Sequence, residues 1–159
     1  MNAQSEIVTS IVATVGNKND GKQLRYLVSR DAEVGVEASI YAGDKGYDDG
    51  DNHEMLWSGG KHSALCLNDY RTRLYPEGLW ADTKASEEYR AGLRERYKIE
   101  RKNAEAKRRH GLDRCRYLGW RKYALQAFMT GIALNLKWIV SLLTGIGLHG
   151  RAAMQPARE

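Results

Sequence analysis

Two carboxylates, Asp44 and Glu100, occupy positions from which an acid could hold a cation beside a bound phosphate. Asp44 follows Val36 to Ala42, where Val36, Ala38, Ile40 and Ala42 alternate with Glu37, Ser39 and Tyr41, a strand pattern. It would therefore stand at the carboxyl end of a strand, where open α/β sheets present ligands. Gly46 would let the backbone turn sharply beyond it. The plainer reading of Asp44 is a turn aspartate that caps the next segment. Glu100 lies in a stretch with helical spacing. At about 100° per residue from Leu93, Arg96, Glu100 and Lys107 share an arc of about 60°. One face thus carries a carboxylate between two cations. Its plainer reading is an exposed i,i+4 pair, Arg96–Glu100, worth about 0.2–0.5 kcal/mol. Tyr89 and Leu93 share the arc, however, with Ala104 at its edge, and imply a partly covered face, where such a cluster is more often functional. If strand end and helix face converge, Asp44 and Glu100 could bind Mg²⁺ through oxygen ligands. Arg96, Lys107 and neighbouring cations would then clamp a phosphodiester.

Two other motifs carry less. Gly16-Asn-Lys-Asn-Asp-Gly21-Lys22-Gln23 spells G-x4-G-K, but Gln23 offers no hydroxyl for Mg²⁺ and Asp20 would meet a phosphate with a carboxylate. The Asp48-Asp49-Gly50-Asp51 cluster lacks calcium-loop spacing and reads as a solvated turn.

The elements that must position these groups follow from the pattern. Ile7 to Val15 is rich in β-branched residues and reads as a strand closed by Gly16-Asn17. Asp20 caps a helix through Leu24, Leu27 and Val28, and the Val36–Ala42 strand follows. Glu54 to Trp57 predicts a short helix, and Ser63 to Leu67 a third strand. The order predicts an α/β sheet with right-handed crossovers. Residues 68–82 form a connector. One long helix runs from about Thr83 to Arg109 and stops at His110-Gly111. The last helix, about Trp120 to Thr144, keeps Leu125, Phe128, Met129, Ile132, Leu136, Ile139, Val140 and Leu143 at helical spacing. Gln126, Thr130, Ala133, Lys137, Ser141 and Thr144 make its more polar stripe. Lys137 splits the uncharged runs below the ~20 residues a spanning helix needs, so no membrane is expected.

Composition fits this picture. The 159 residues, 42% hydrophobic, suit one domain with a real core. Cys66 and Cys115 are too few for a disulfide framework or a four-cysteine zinc site, which points to a reducing compartment. Met1 to Glu6 shows neither a basic nor an apolar secretory region. The net charge of +5 conceals an asymmetry. Arg94 to Lys122 holds twelve Lys or Arg against four acids, so it is +8 and the remainder −3. Such a stripe is the footprint of a polyanion partner, although a solvated helix face would also carry it.

The ordered blocks resemble the DDE transposases of bacterial insertion sequences, of the insertion-sequence four and five groups. Ala42 to Asp48 is similar to their A-D-K-G-Y block, and Arg96, Glu100 and Lys107 match R-x3-E-x6-K of their signature. Thr14 to Gly21 resembles their V-T-P-G-N-x-x-D-G segment, and Ala133 to Lys137 their A-x-N-L-K helix. Leu93 stands where the signature has tyrosine. The resemblance covers about residues 5–145, expected as one domain with flexible termini at 1–4 and 146–159.

The resemblance implies a partial ribonuclease-H-like α/β fold with a mixed sheet lacking its first strands, a long catalytic helix and a C-terminal apolar helix. It implies transposition by Mg²⁺-dependent cleavage and strand transfer of DNA. Asp44 and Glu100 would be catalytic and metal ligands. Arg96 and Lys107 would hold phosphate near the transposon end, with Arg101, Lys102, Arg108 and Arg109 on the DNA backbone. The family's first catalytic aspartate lies on a strand upstream of the segment matching residues 5–15, so this chain is expected to be the C-terminal part, inactive alone. Expected partners are DNA, a full-length transposase or the product of an upstream reading frame, and a second copy; the expected setting is cytoplasmic, at the nucleoid. The alternative is a non-catalytic DNA-binding or interaction remnant.

Overall fold

A computed structural model describes residues 1–68, 79–114 and 116–146. The connector, apart from Asn68 and the backbone from Leu79, therefore lies outside the described residues for the most part, as do Cys115 and 147–159. The sequence reading runs one domain over 5–145, whereas the chain divides into two compact units, Thr14–Glu100 and Met1–Ala13 with Arg101–Glu159.

The contiguous unit is a mixed α/β arrangement around two parallel strands, β1 (Ile40–Gly43) and β2 (His62–Leu65). Tyr41 registers with Ser63 and Ala42 with Ala64. Before β1, a 3-10 turn at Asp20–Gln23 leads into α1 (Leu24–Glu33). The cap is Asn19, one residue ahead of the expected Asp20; its side chain accepts from Gly21 N at 2.8 Å. Between the strands lies α2 (Gly50–Ser58), capped by Asp49. It starts four residues earlier than its apolar residues suggest, because the cap and not the hydrophobic run sets its start. Both strands are shorter than expected.

Successive residues of β2 face opposite ways and build two small cores. Ala64 joins Leu67 and Tyr89, with Ile40 and Leu93 against them. Leu65 joins Leu24 and Leu56, with Tyr41, Tyr47 and Met55 alongside. The long helix expected over 83–109 is three: α3 (Leu79–Ala85), α4 (Glu87–Glu95) and α5 (Tyr97–His110). Ser86 makes the first break. Its backbone is extended and its hydroxyl accepts from Tyr89 N at 3.2 Å, an N-cap inside the expected helix. Arg96 makes the second, slighter break and keeps helical angles. Gly92 lets α4 approach the sheet closely, since a Cβ there would lie 2.4 Å from Ala64 Cβ and 3.1 Å from Ile40 Cγ2.

The boundary between the units falls within α5. The second unit contains the rest of α5, the long α6 (Trp120–Thr144) and the N-terminal segment. The left-handed Gly111 ends α5 and lets Leu112 N donate to the Ala106 carbonyl at 3.1 Å. Ile7 to Val15 is not a strand. A strand needs a ladder partner, and none borders it among the described residues. Instead Asn135 takes both backbone groups of Val8, donating to its carbonyl at 2.9 Å and accepting from its N–H at 2.8 Å. Residues 1–4 are held in a turn by Asn2, whose side-chain oxygen accepts from Gln4 N and Ser5 N.

The bounds of α6 are those expected, but its faces are reversed. The packed side is the small and polar one, with Ala124, Ala127, Thr130, Gly131, Leu134 and Ser141 buried. The large apolar residues, Leu125 and Leu143 among them, are exposed. By length and composition α6 could cross a membrane, which on its own is weak evidence. Its Lys137 is ion-paired to Glu105.

Candidate active site

In the contiguous unit, Asp44 directly follows β1 in extended conformation and caps a short 3-10 turn, Lys45–Tyr47. Its Oδ1 accepts from Gly46 N at 2.9 Å, so the capping role and the exposed position at a strand end coexist. This turn is held from two sides. A Cβ on Gly21 would lie 2.5 Å from the Gly46 carbonyl oxygen, so only glycine fits there. Asn52, on α2, donates to the carbonyls of Gly21 at 3.1 Å and Tyr47 at 2.9 Å, joining the two loops.

Arg96 carries the second half of the site. Its Nη2 donates to Glu100 Oε1 at 2.7 Å, the i,i+4 pair expected from spacing. The bond to Glu100 raises the guanidinium pKa above its ordinary value, and the charges of Cys66 and Asp44 add to the rise. The Arg96 side chain is 30% exposed and that of Glu100 61%, so the face is covered at the arginine and open at the acid.

Beneath the Asp44 turn lies a buried polar chain that spacing gave no reason to expect. Asp48 Oδ1 sits 3.0 Å from His53 Nε2, and His53 Nδ1 sits 2.7 Å from Ser63 Oγ. Asp48 Oδ2 accepts from Asn68 N at 2.7 Å. Asp48 and His53 are fully buried, so the expected solvated turn is corrected: Asp49 caps α2, but Asp48 is a core residue. Burial pushes the His53 pKa down, against the upward pull of Asp48. Burial likewise raises the Tyr47 hydroxyl, helped by Asp20 and Asp44.

The remaining candidate cations lie in the other unit and divide into two groups. Lys107, Arg108 and Arg109 are exposed in the last turns of α5, where the helix dipole favours positive charge. Arg101 and Lys102 are committed to Glu6. Arg101 is paired with it, and Lys102 Nζ lies 3.7 Å from Glu6 Oε2 and 4.4 Å from the Trp138 ring centre. Lys102 is buried, and that burial lowers its pKa against the pull of Glu6. Through Glu6 it helps to anchor the N-terminal segment.

Against known families, the sequence matches the transposase DDE domain over residues 1–136. The chain belongs to that family. No curated protein and no solved structure matches it. The family match suggests DNA transposition by nuclease and transferase chemistry, for which such transposases generally use Mg²⁺. Asp44 and Glu100 offer the oxygen ligands Mg²⁺ prefers, but the two alone do not complete a site for it. No group of three His, Cys, Asp or Glu that could hold one occurs among the described residues. Glu100 accepts from Arg96 through Oε1, and Asp44 from Gly46 N through Oδ1, one oxygen of each carboxylate.

Proposed function

We propose that this chain serves DNA transposition, as a portion of a DDE transposase catalytic domain with a ribonuclease-H-like fold. Asp44 and Glu100 are two of its three catalytic carboxylates and would act as metal ligands once a third is supplied from outside the described residues. Arg96 orients Glu100 and offers a cation to phosphate. Lys107, Arg108 and Arg109 bind the DNA backbone, while Arg101 contributes through its exposed portion. The observations that support this reading best are Asp44 exposed at the end of β1 and Glu100 bonded to Arg96, in a chain of this family.

A second reading has its own support, which is the lack of a three-acid cluster among the described residues. On that reading the chain binds DNA without cutting it, as a remnant or as a partner to a longer transposase in the cytoplasm. One experiment separates them. A labelled DNA duplex is titrated with the chain and then held with Mg²⁺. Salt-sensitive binding without nicking, converted to nicking on adding a polypeptide that carries the missing carboxylate and abolished by Asp44→Asn, supports the first reading. Binding that never becomes nicking supports the second. Absence of any DNA binding overturns both.

A further inference from the structure

The N-terminal segment is held on α6 by side chains. As it runs from Ser5 to Ala13, its partners run back along the helix from Trp138 to Trp120. Trp138 donates to the Ser5 carbonyl, Asn135 takes both backbone groups of Val8, and Trp120 Nε1 donates to the Ala13 carbonyl at 3.1 Å. Ile11 sits on Gly131, where an added Cβ would collide with its Cδ1. None of these N-terminal residues is in a strand, so the strap they form can lift without dismantling a sheet.

Glu6 stands near the start of this strap. Among the described residues it is the one non-glycine with a positive φ, 53°, a backbone strain that its side chain must offset. The residue is only 8% exposed, and its carboxylate meets two cations. Arg101 is paired with Oε1, while Lys102 Nζ lies 3.7 Å from Oε2, an atom with no hydrogen-bond partner. Lys102 is itself 7% exposed, with the Trp138 ring against its ammonium. Two cations thus converge on an anion that uses part of what they offer. A guanidinium fork beside an ammonium is also the donor set that grips phosphate oxygens.

We propose that Arg101 and Lys102 form a phosphate site that Glu6 occupies as a built-in competitor, and that the Ser5–Ala13 strap lifts when a phosphate takes its place. The strap keeps two cations out of use until a ligand displaces one carboxylate. Naming DNA as the source of that phosphate rests on the transposition reading; the site itself does not.

The test uses the full chain and two probes, inorganic pyrophosphate and a DNA duplex. A strap that is down about 90% of the time lowers apparent affinity about tenfold. Glu6→Gln should therefore bind about tenfold tighter, and its DNA salt dependence should steepen by about 0.9 for each phosphate gained. Gly131→Ala crowds out Ile11 without changing the charge, and should shift affinity in the same direction. Lys102→Met on the Glu6→Gln background should undo the gain, with circular dichroism unchanged throughout. Saturating the wild-type chain with either probe that binds should speed hydrogen exchange at the Val8 amide, because lifting the strap breaks its bond to Asn135. Tighter binding of DNA alone assigns the site to a backbone phosphate. Tighter binding of pyrophosphate alone assigns it to a free phosphate, which counts against the DNA reading and not against the site. Affinity for both probes unchanged in Glu6→Gln and in Gly131→Ala, or Val8 exchange unchanged or slowed at saturation, would overturn the proposal.

Discussion

His53 is enclosed between Asp48 and Ser63, and its chemistry gives the site a pH dependence. Burial keeps the folded imidazole below its ordinary value of 6.5. On acidification the unfolded chain takes up a proton that the folded chain declines. The stability due to neutral His53 is therefore complete above about pH 6.5 and is lost as pH falls toward the lower folded value. Urea midpoints between pH 5 and 7.5 should decline on the acid side. His53→Gln should flatten that decline while costing about 1–3 kcal/mol for the polar groups it leaves short of partners. An equally steep decline in the variant would clear His53 of responsibility. The contrast with Arg96 and Glu100 shows what a sequence discloses at this scale. Residues four apart on one helix meet by helical geometry alone, so their pair was legible. Asp48, His53 and Ser63 meet only because α2 and β2 fold onto one another, and no local period encodes that. Lys102 misleads for the same reason, since it looks like one more cation until Glu6 and Trp138 enclose it.

Elements were legible where a local signal sets them. The limits of α6 fall at two glycines of positive φ, Gly119 at one end and the left-handed Gly145 at the other. The parallel pairing of β1 and β2 agrees with the strand–helix–strand order. Ile7 to Val15 has strand composition without a strand, because composition supplies propensity and a ladder needs a neighbour. Asn135 is that neighbour in miniature. Asn135→Ala should remove both bonds to Val8, costing about 1–3 kcal/mol, and should speed hydrogen exchange at the Val8 amide; unchanged exchange there would show that the amide is protected otherwise. Gly92 gives a test in which two effects oppose one another. In an ordinary helix interior, Gly→Ala gains up to about 1 kcal/mol. Here the added methyl would meet Ala64, which is fully buried, and overpacking costs about 1–3 kcal/mol. Thermal midpoints should therefore fall in Gly92→Ala, and a rise would mean that α4 can retreat from the sheet at little cost.

At the scale of the whole molecule, charge is sorted along the chain. The +8 stretch from Arg94 to Lys122 supplies attraction to a polyanion, and the exposed Lys107, Arg108 and Arg109 are its accessible part. Replacing those three by Ala should reduce the slope of log affinity for duplex DNA against log salt by about 0.9 for each phosphate they neutralise. An unchanged slope would place DNA elsewhere on the surface. Arg101, paired with Glu6, should contribute less than Lys107 or Arg108. The charge asymmetry was fully legible. Which cations were available was not, because that depends on the acids that folding brings to them.

One consequence concerns the order in which the molecule can assemble. Residues 14–100 are contiguous and form a unit of their own, while the other unit needs both Met1–Ala13 and the chain after Arg101. During synthesis the inner unit can fold as soon as it is complete. The first thirteen residues must wait for α6, which brings Asn135 to Val8 and Trp138 to Ser5. Joining them closes a long loop, whose entropic cost grows only slowly with its length. The segment made first is placed last.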